Sequence, residues 1–130
     1  MMNKKGIVSF DLDMTLLNHT TWSIPDSAMR AVEALRKDYI IVIASGRDMD
    51  THYSLPYKEI VKPDAIIHLN GTKVTVGDEL IFEHFMDREL LAKLAAFAKG
   101  KPYAIGMSVG SDDYFVNSDF VVNYDMWRWK

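Results

Sequence analysis

Three nearly continuous apolar runs mark the first half of the chain, at residues 6–10, 39–44 and 65–69. Unbroken apolar runs, as opposed to alternating ones, are typical of parallel strands that are buried on both faces. A helical pattern over 26–37 separates the first two runs, and a weaker one over 48–62, interrupted at its proline, separates the last two. Alternating strands and helices predict an open parallel sheet with helices on its faces, the α/β class.

The pattern changes after Gly71. The elements expected there are a hairpin of 73–76 with 80–82, a helix over 87–99, and two strands at 103–109 and 114–116. A helix laid on antiparallel strands is a different architecture from that of the first half. We therefore divide the chain near residue 85, into a core segment 1–85 and a second segment 86–130.

Polar residues follow directly on each of the three apolar strands. Asp11 comes after the first strand, Ser45 after the second and Asn70 after the third. Ligands of open α/β sheets lie beyond the carboxyl ends of the strands, so these three residues are expected to converge on one functional edge.

Asp11 and Asp13 are the strongest candidates for chemistry. Two carboxylates two residues apart point the same way if the backbone is extended, and they repel unless a cation or a shared proton compensates. Mg²⁺ is suited to this position because it takes oxygen ligands. One carboxylate could then attack phosphorus while the other exchanges a proton with the leaving group. The alternative is a pair of loop acids that cap backbone amides.

Three segments resemble motifs of the haloacid dehalogenase superfamily. Residues 8–17 resemble its first motif, an apolar strand followed by Asp-x-Asp-x-Thr, and 43–48 resemble its second motif in the Ser-Gly-Arg form of the Cof-like branch. Residues 67–72 resemble the Asn-Gly-Ala segment of that branch. The resemblance is strong over 6–85 and looser up to 117, where Cof-like proteins begin an inserted cap. It implies a Rossmann-like core with a parallel sheet and part of an α+β cap.

The resemblance also implies roles for individual residues. Asp11 corresponds to the nucleophile and Asp13 to the general acid/base, and both are placed at Mg²⁺, Asp13 through its backbone carbonyl. The groups implied to hold phosphate or substrate are the Leu12 amide, the Thr15 and Ser45 hydroxyls, the Gly46 amide, and the side chains of Arg47 and Asn70. Two of them have structural alternatives, because Ser45 could cap a following helix and Asn70 could serve only in a turn.

The chain departs from the family pattern in two respects. Met14 stands where the Cof-like branch normally has glycine. Nothing after residue 117 resembles the lysine of the third motif or the acids of the fourth, and Asp112-Asp113 fits a cap hairpin better. Two functions follow: a Mg²⁺-dependent phosphatase acting on a small phosphomonoester, with a sugar phosphate as substrate class, through an aspartyl-phosphate; or a truncated or degenerate relative that binds phosphate or a protein partner without turnover.

Composition restricts partners and location. Fifteen basic and 18 acidic residues give a net charge of −3, which argues against nucleic acid. The sequence has no cysteine, which excludes disulfide scaffolds and suits the cytoplasm, and no run approaches the length of a membrane span. The histidines 19, 52, 68 and 84 show no ligand spacing, so each is expected at the surface or a strand edge.

A homodimer is expected from three surfaces that the chain alone would leave uncovered. A parallel sheet that stops after three strands has an unpaired edge, and such edges recruit strands. The helix over 87–99 needs a partner for its Leu/Ala face. Trp127 and Trp129 would share a face if the tail is extended.

Overall fold

The computed structural model describes residues 3–109 and 112–128. The chain divides into two compact units, Met1–His84 and Phe85–Lys130. Strands and helices alternate in the first unit, and the expected α/β class is confirmed.

The first unit contains a five-stranded sheet in the order β1-β2-β3-β4-β5. Its elements are β1 (Gly6–Phe10), α1 (Asp26–Arg36), β2 (Tyr39–Ala44), α2 (Leu55–Val61), β3 (Ala65–His68), a 3₁₀ turn (Leu69–Gly71), β4 (Lys73–Val76) and β5 (Glu79–Glu83). The first three strands are parallel, and β4 and β5 continue the sheet as an antiparallel hairpin. Gly77 makes the hairpin turn possible, because its φ of 57° is costly for other residues.

The strand register brings three chain segments to one edge of the sheet. Phe10 pairs with Ile43, and Ala44 pairs with Ile67, so β1, β2 and β3 end at nearly the same level. The residues that follow these strands are therefore neighbours.

Both helices of the first unit pack on the same face of the sheet. Right-handed crossovers between strands that succeed one another in a single direction place their helices on one side. The core there joins Val32 of α1 and Val61 of α2 to Ile41, Ile43 and Ile66. The expected interruption at Pro56 is wrong: α2 begins at Leu55, so the proline lies in its first turn, where no backbone donor is lost.

The opposite face of the sheet carries no charged side chain on β1 to β4. Cross-strand partners share a face, and the register assigns to this one Ile7, Ser9, Ile40, Val42, Ala44, Ala65, Ile67, Val74 and Val76. Ile7 is 65% exposed, so β1 is not buried on both sides as its sequence indicated. The expected free edge after three parallel strands is also wrong, because β4 pairs with β3.

The second unit is built from α3 (Arg88–Ala98), a hairpin of β6 (Ile105–Val109) and β7 (Asp112–Val116), and α4 (Ser118–Arg128). The Asp87 carboxylate caps α3 by accepting from the amides of Glu89 and Leu90. Trp127 lies in α4, which continues to Arg128, so the tail is not extended there, the condition under which Trp127 and Trp129 would share a face. Trp129 and the predicted turn residues Gly110 and Ser111 lie outside the described residues. No helix in the described ranges is long and apolar enough to cross a membrane.

Candidate active site

The loop after β1 is anchored by its leucines. The Leu12 carbonyl accepts the amides of Thr15, Leu16 and Leu17 at 3.3, 3.0 and 2.8 Å. All three leucine side chains are buried in the helix-side core. Since the apolar residues point inward, the carboxylates of Asp11 and Asp13 are left at the surface of the sheet edge.

Met14 adopts the backbone conformation that this tight loop requires, and that conformation is unfavourable for a residue with a side chain. Its φ is 60°, in the left-handed region that favours glycine, and its side chain is 82% exposed. The methionine thus extends into solvent.

Thr15 orients the first carboxylate. Its hydroxyl donates to Oδ2 of Asp11 at 3.1 Å. In the described part of the chain, Asp11 has no ion pair with a lysine or arginine. A carboxylate oxygen of Asp11 therefore remains available for a substrate or cation.

Arg47 binds the second carboxylate, that of Asp13. Its Nε and Nη2 donate to the two oxygens of Asp13 at 2.7 and 2.6 Å, a bidentate pair that joins the ends of β1 and β2. His19 Nε2 lies 2.7 Å from the same carboxylate, and the His19 ring stacks on Trp22. The hydrogen bonds from Arg47 hold the pKa of Asp13 below its ordinary value, although partial burial opposes them.

Ser45, Gly46 and Asn70 form the neighbouring part of the edge. The nearly buried Ser45 hydroxyl accepts the Arg47 amide at 3.1 Å, and the Ser45 carbonyl accepts the Asn70 amide. Ser45 does not cap a helix, because α2 starts ten residues later. A Cβ on Gly46 would lie 3.3 Å from Oδ1 of Asn70, so glycine permits this close approach. Asn70 lies in the 3₁₀ turn with φ 56°, which makes it both a turn residue and a site neighbour.

A second polar cluster, which the sequence reading missed, fixes the segment after Arg47. Lys73 Nζ donates to Asp48 at 3.0 Å and to Asp50 at 2.8 Å, and Lys58 donates to Asp50 at 2.6 Å. His68 is fully buried, so its expected position at the surface is wrong. Its Nδ1 accepts the Met49 amide and its Nε2 faces the Thr75 hydroxyl, while burial lowers its pKa. In the sequence, the Asp48-x-Asp50 spacing was the one feature that could have indicated this cluster.

Two groups of residues could offer ligand atoms to a metal ion. Ligand atoms of Asp48, Asp50 and His68 lie within 4.8 Å of one another, but the Lys73 ammonium already bridges the two carboxylates. At the end of β1, Asp11 offers a carboxylate oxygen and Asp13 its backbone carbonyl, both hard oxygens of the kind that Mg²⁺ prefers, while Arg47 engages both carboxylate oxygens of Asp13. This donor set is small, so a Mg²⁺ ion held there would keep most of its waters.

Solved structures with this fold include phosphatases. A HAD subclass IIB sugar phosphatase is 28% identical over 94% of this chain, with a TM-score of 0.72. A member of a phosphoryl-transfer superfamily with a conserved trigonal-bipyramidal intermediate is 28% identical over 86% of this chain, with a TM-score of 0.70. A phosphatase from Bacteroides thetaiotaomicron, 20% identical over 98% with a TM-score of 0.73, shows likeness of fold alone.

The chain spans about half the length of these structures, 48%, 43% and 53% respectively. No curated protein matches the sequence. The model of the haloacid dehalogenase-like hydrolases matches residues 8–127, nearly the whole chain, and includes every residue of the β1, β2 and β3 edge. This chain therefore belongs to the haloacid dehalogenase-like hydrolase family.

Proposed function

We propose that the edge formed by Asp11, Asp13, Ser45 and Arg47 is the phosphate site of a phosphatase that acts on a small phosphomonoester, with a sugar phosphate as the substrate class. The observation that carries the proposal is the Arg47 fork on Asp13, because it fixes a carboxylate and a guanidinium at the sheet edge where the exposed Asp11 also follows β1. The sugar phosphatase among the similar structures supports the substrate class. We place the reaction in the cytoplasm, which the absence of cysteine suits.

Asp11 acts as the nucleophile in this proposal. An oxygen of its carboxylate bonds to phosphorus as the ester bond breaks, and the leaving alkoxide takes a proton from Asp13. Water, deprotonated by Asp13, then attacks phosphorus and releases inorganic phosphate, which restores both carboxyl groups. Thr15 fixes the orientation of the Asp11 carboxylate for the attack. Bound Mg²⁺, held by Asp11 and Asp13, would neutralise charge on the transferring group.

Arg47 must change partners for Asp13 to act as an acid. A general acid carries a proton, whereas the fork from Arg47 stabilises the ionised carboxylate. The dianion of a phosphomonoester competes for the same guanidinium, since Arg binds phosphate oxygens in a bidentate manner as well as carboxylates. Substrate binding would draw Arg47 away and let Asp13 take up a proton.

A phosphate-binding relative without turnover is the second candidate. It is favoured by the engagement of both Asp13 oxygens and by the lack of a lysine or arginine partner for Asp11 among the described residues. Electrostatic stabilisation of the transferring phosphoryl group is the dominant catalytic term, so we expect the chain to turn over slowly even if it is an enzyme.

Turnover of an aryl phosphate in the presence of Mg²⁺ separates the two candidates. We expect slow release of phosphate that EDTA stops and that Asp11→Asn abolishes, because the amide is not a nucleophile. Asp38→Asn is the matched control, since Asp38 is paired on the surface with Lys5. Equal rates for Asp11→Asn and the unaltered chain would refute Asp11 as the nucleophile. Phosphate binding with no turnover would establish the second candidate.

A further inference from the structure

A tight turn between β1 and α1 presents His19 to Asp13. Asn18 and Ser23 pair across the turn, where the Asn18 amide donates to the Ser23 carbonyl at 3.0 Å. Between them, His19 stacks on Trp22 with the ring centroids 4.6 Å apart and the planes inclined by 20°. Trp22 has a φ of 52°, which a bulky residue keeps only where the surrounding contacts fix it. The turn therefore holds the imidazole in a defined position.

The turn is also attached to α2. The hydroxyl of Tyr57, a residue that packs against the core of the first unit, donates to the Trp22 carbonyl at 3.3 Å. The guanidinium of Arg47 lies over the same ring, 5.7 Å from its centroid. Tyr57 thus supports the turn through a hydrogen bond that does not involve Arg47. The position of His19 is therefore expected to persist when Arg47 moves.

Arg47 and His19 approach the Asp13 carboxylate differently. Arg47 Nη2 and His19 Nε2 lie 2.6 and 2.7 Å from Oδ1, whereas Oδ2, among the residues that the structure describes, accepts only Arg47 Nε, at 2.7 Å. An ionised carboxylate only accepts hydrogen bonds, so Nε2 of His19 carries the hydrogen of this contact. A hydroxyl at Oδ2 would face the Nε–H donor of Arg47, so the fork is incompatible with it. The contact from His19 to Oδ1 suits the ionised and the protonated group alike.

We propose that His19 is the positioning residue that holds Asp13 once Arg47 has turned to the phosphate, and that Oδ2 is the oxygen that exchanges the proton. The inference rests on the proposed function, in which the substrate draws Arg47 away. His19 would keep its hydrogen bond to Oδ1, and Oδ2 would be free to donate. The proton passes from Oδ2 to the leaving oxygen as the bond from that oxygen to phosphorus breaks, and the water that hydrolyses the aspartyl-phosphate returns a proton to Oδ2.

Two phosphate esters with different leaving groups test this role. Loss of a positioned acid slows the departure of a poor leaving group more than that of a good one. His19→Phe keeps a ring for Trp22 but removes the donor, and should lower kcat about tenfold more for phenyl phosphate than for para-nitrophenyl phosphate, with KM unchanged. His19→Gln keeps a donor and should restore most of the rate. His52→Phe, at an exposed histidine that packs on Tyr53, is the matched control. An equal loss for both esters, or no rescue by His19→Gln, would overturn the role.

Nitrogen NMR of the side chains tests the same contact without turnover, with inorganic phosphate as the ligand. Phosphate should shift the Nε signal of Arg47 and leave the ring nitrogens of His19 almost unchanged. Without phosphate, Asp13→Asn should shift the His19 signals, because Nε2 loses its carboxylate partner. His19 signals that phosphate moves to their Asp13→Asn positions would overturn this inference alone. Phosphate that does not bind, or that binds without moving Arg47, would overturn the change of partner in the proposed function and this inference with it.

Discussion

Met14 holds a backbone conformation that its side chain disfavours, at the position where the Cof-like branch normally has glycine. Its φ of 60° costs a non-glycine residue about 1 kcal/mol, and its 82% exposed side chain contributes little packing in return. We therefore expect Met14→Gly to raise the free energy of unfolding by about 1 kcal/mol, measured by urea denaturation. Ala31→Gly, in the interior of α1, should lower it by a similar amount. Destabilisation by Met14→Gly would show that the methionine side chain stabilises the loop.

The sequence predicts the positions of some residues at the β1, β2 and β3 edge but not of others. Asp11, Ser45 and Asn70 follow apolar strands, and strand ends of a parallel sheet meet, so their proximity was predictable. The fork between Arg47 and Asp13 was not, because 34 residues separate the partners and rotamers decide the contact. The burial of His68 was not either, since its partners Met49 and Thr75 come from separate segments.

A residue of β4 holds the segment between β2 and α2 in position. Lys73 on that strand holds Asp48 and Asp50, and the side chains of Lys73 and Asp48 are only 15% and 12% exposed. Lys73→Met would leave the nearly buried Asp48 carboxylate without its lysine partner, so we expect a loss of about 3 kcal/mol in the free energy of unfolding at pH 7. Urea denaturation measures it, with Lys37→Met at the exposed end of α1 as the control. An unchanged midpoint in Lys73→Met would contradict this role.

The same contacts predict how stability depends on pH. Burial acts to raise the pKa of Asp50, but hydrogen bonds from Lys58 and Lys73 outweigh it and bring the pKa to about 2, from 3.8. A lowered folded-state pKa contributes stability that is fully present above 3.8 and is lost as the pH falls towards about 2. The difference between Lys73→Met and the unaltered chain should therefore shrink over that interval. A constant difference would mean that Lys73 does not act through Asp50.

At the scale of elements, the parallel strands and both hairpins followed from apolar runs and turn residues. The start of α2 could not be predicted in this way, because a proline indicates a break inside a helix but also suits a first helical turn, where Pro56 lies. The continuation of the sheet by β4 was missed for a different reason. A hairpin signal shows that two strands pair with each other, but it does not show that one of them also pairs with β3.

The whole chain carries the first two strand-end motifs of its family and spans about half the length of the similar structures. The residues expected to act on phosphate all lie in the first unit, between Asp11 and Asn70. Transfer of a phosphoryl group to Asp11 is therefore the step that we expect this chain to carry out by itself, even if complete turnover is slow.

Labelling with radioactive acetyl phosphate, followed by acid quenching, tests that step most directly. An acyl phosphate on Asp11 survives acid and is released by hydroxylamine. The account predicts hydroxylamine-sensitive label on the unaltered chain and none on Asp11→Asn. An unlabelled wild-type chain, or equal label on both chains, would contradict the assignment of Asp11 as the residue that receives the phosphoryl group.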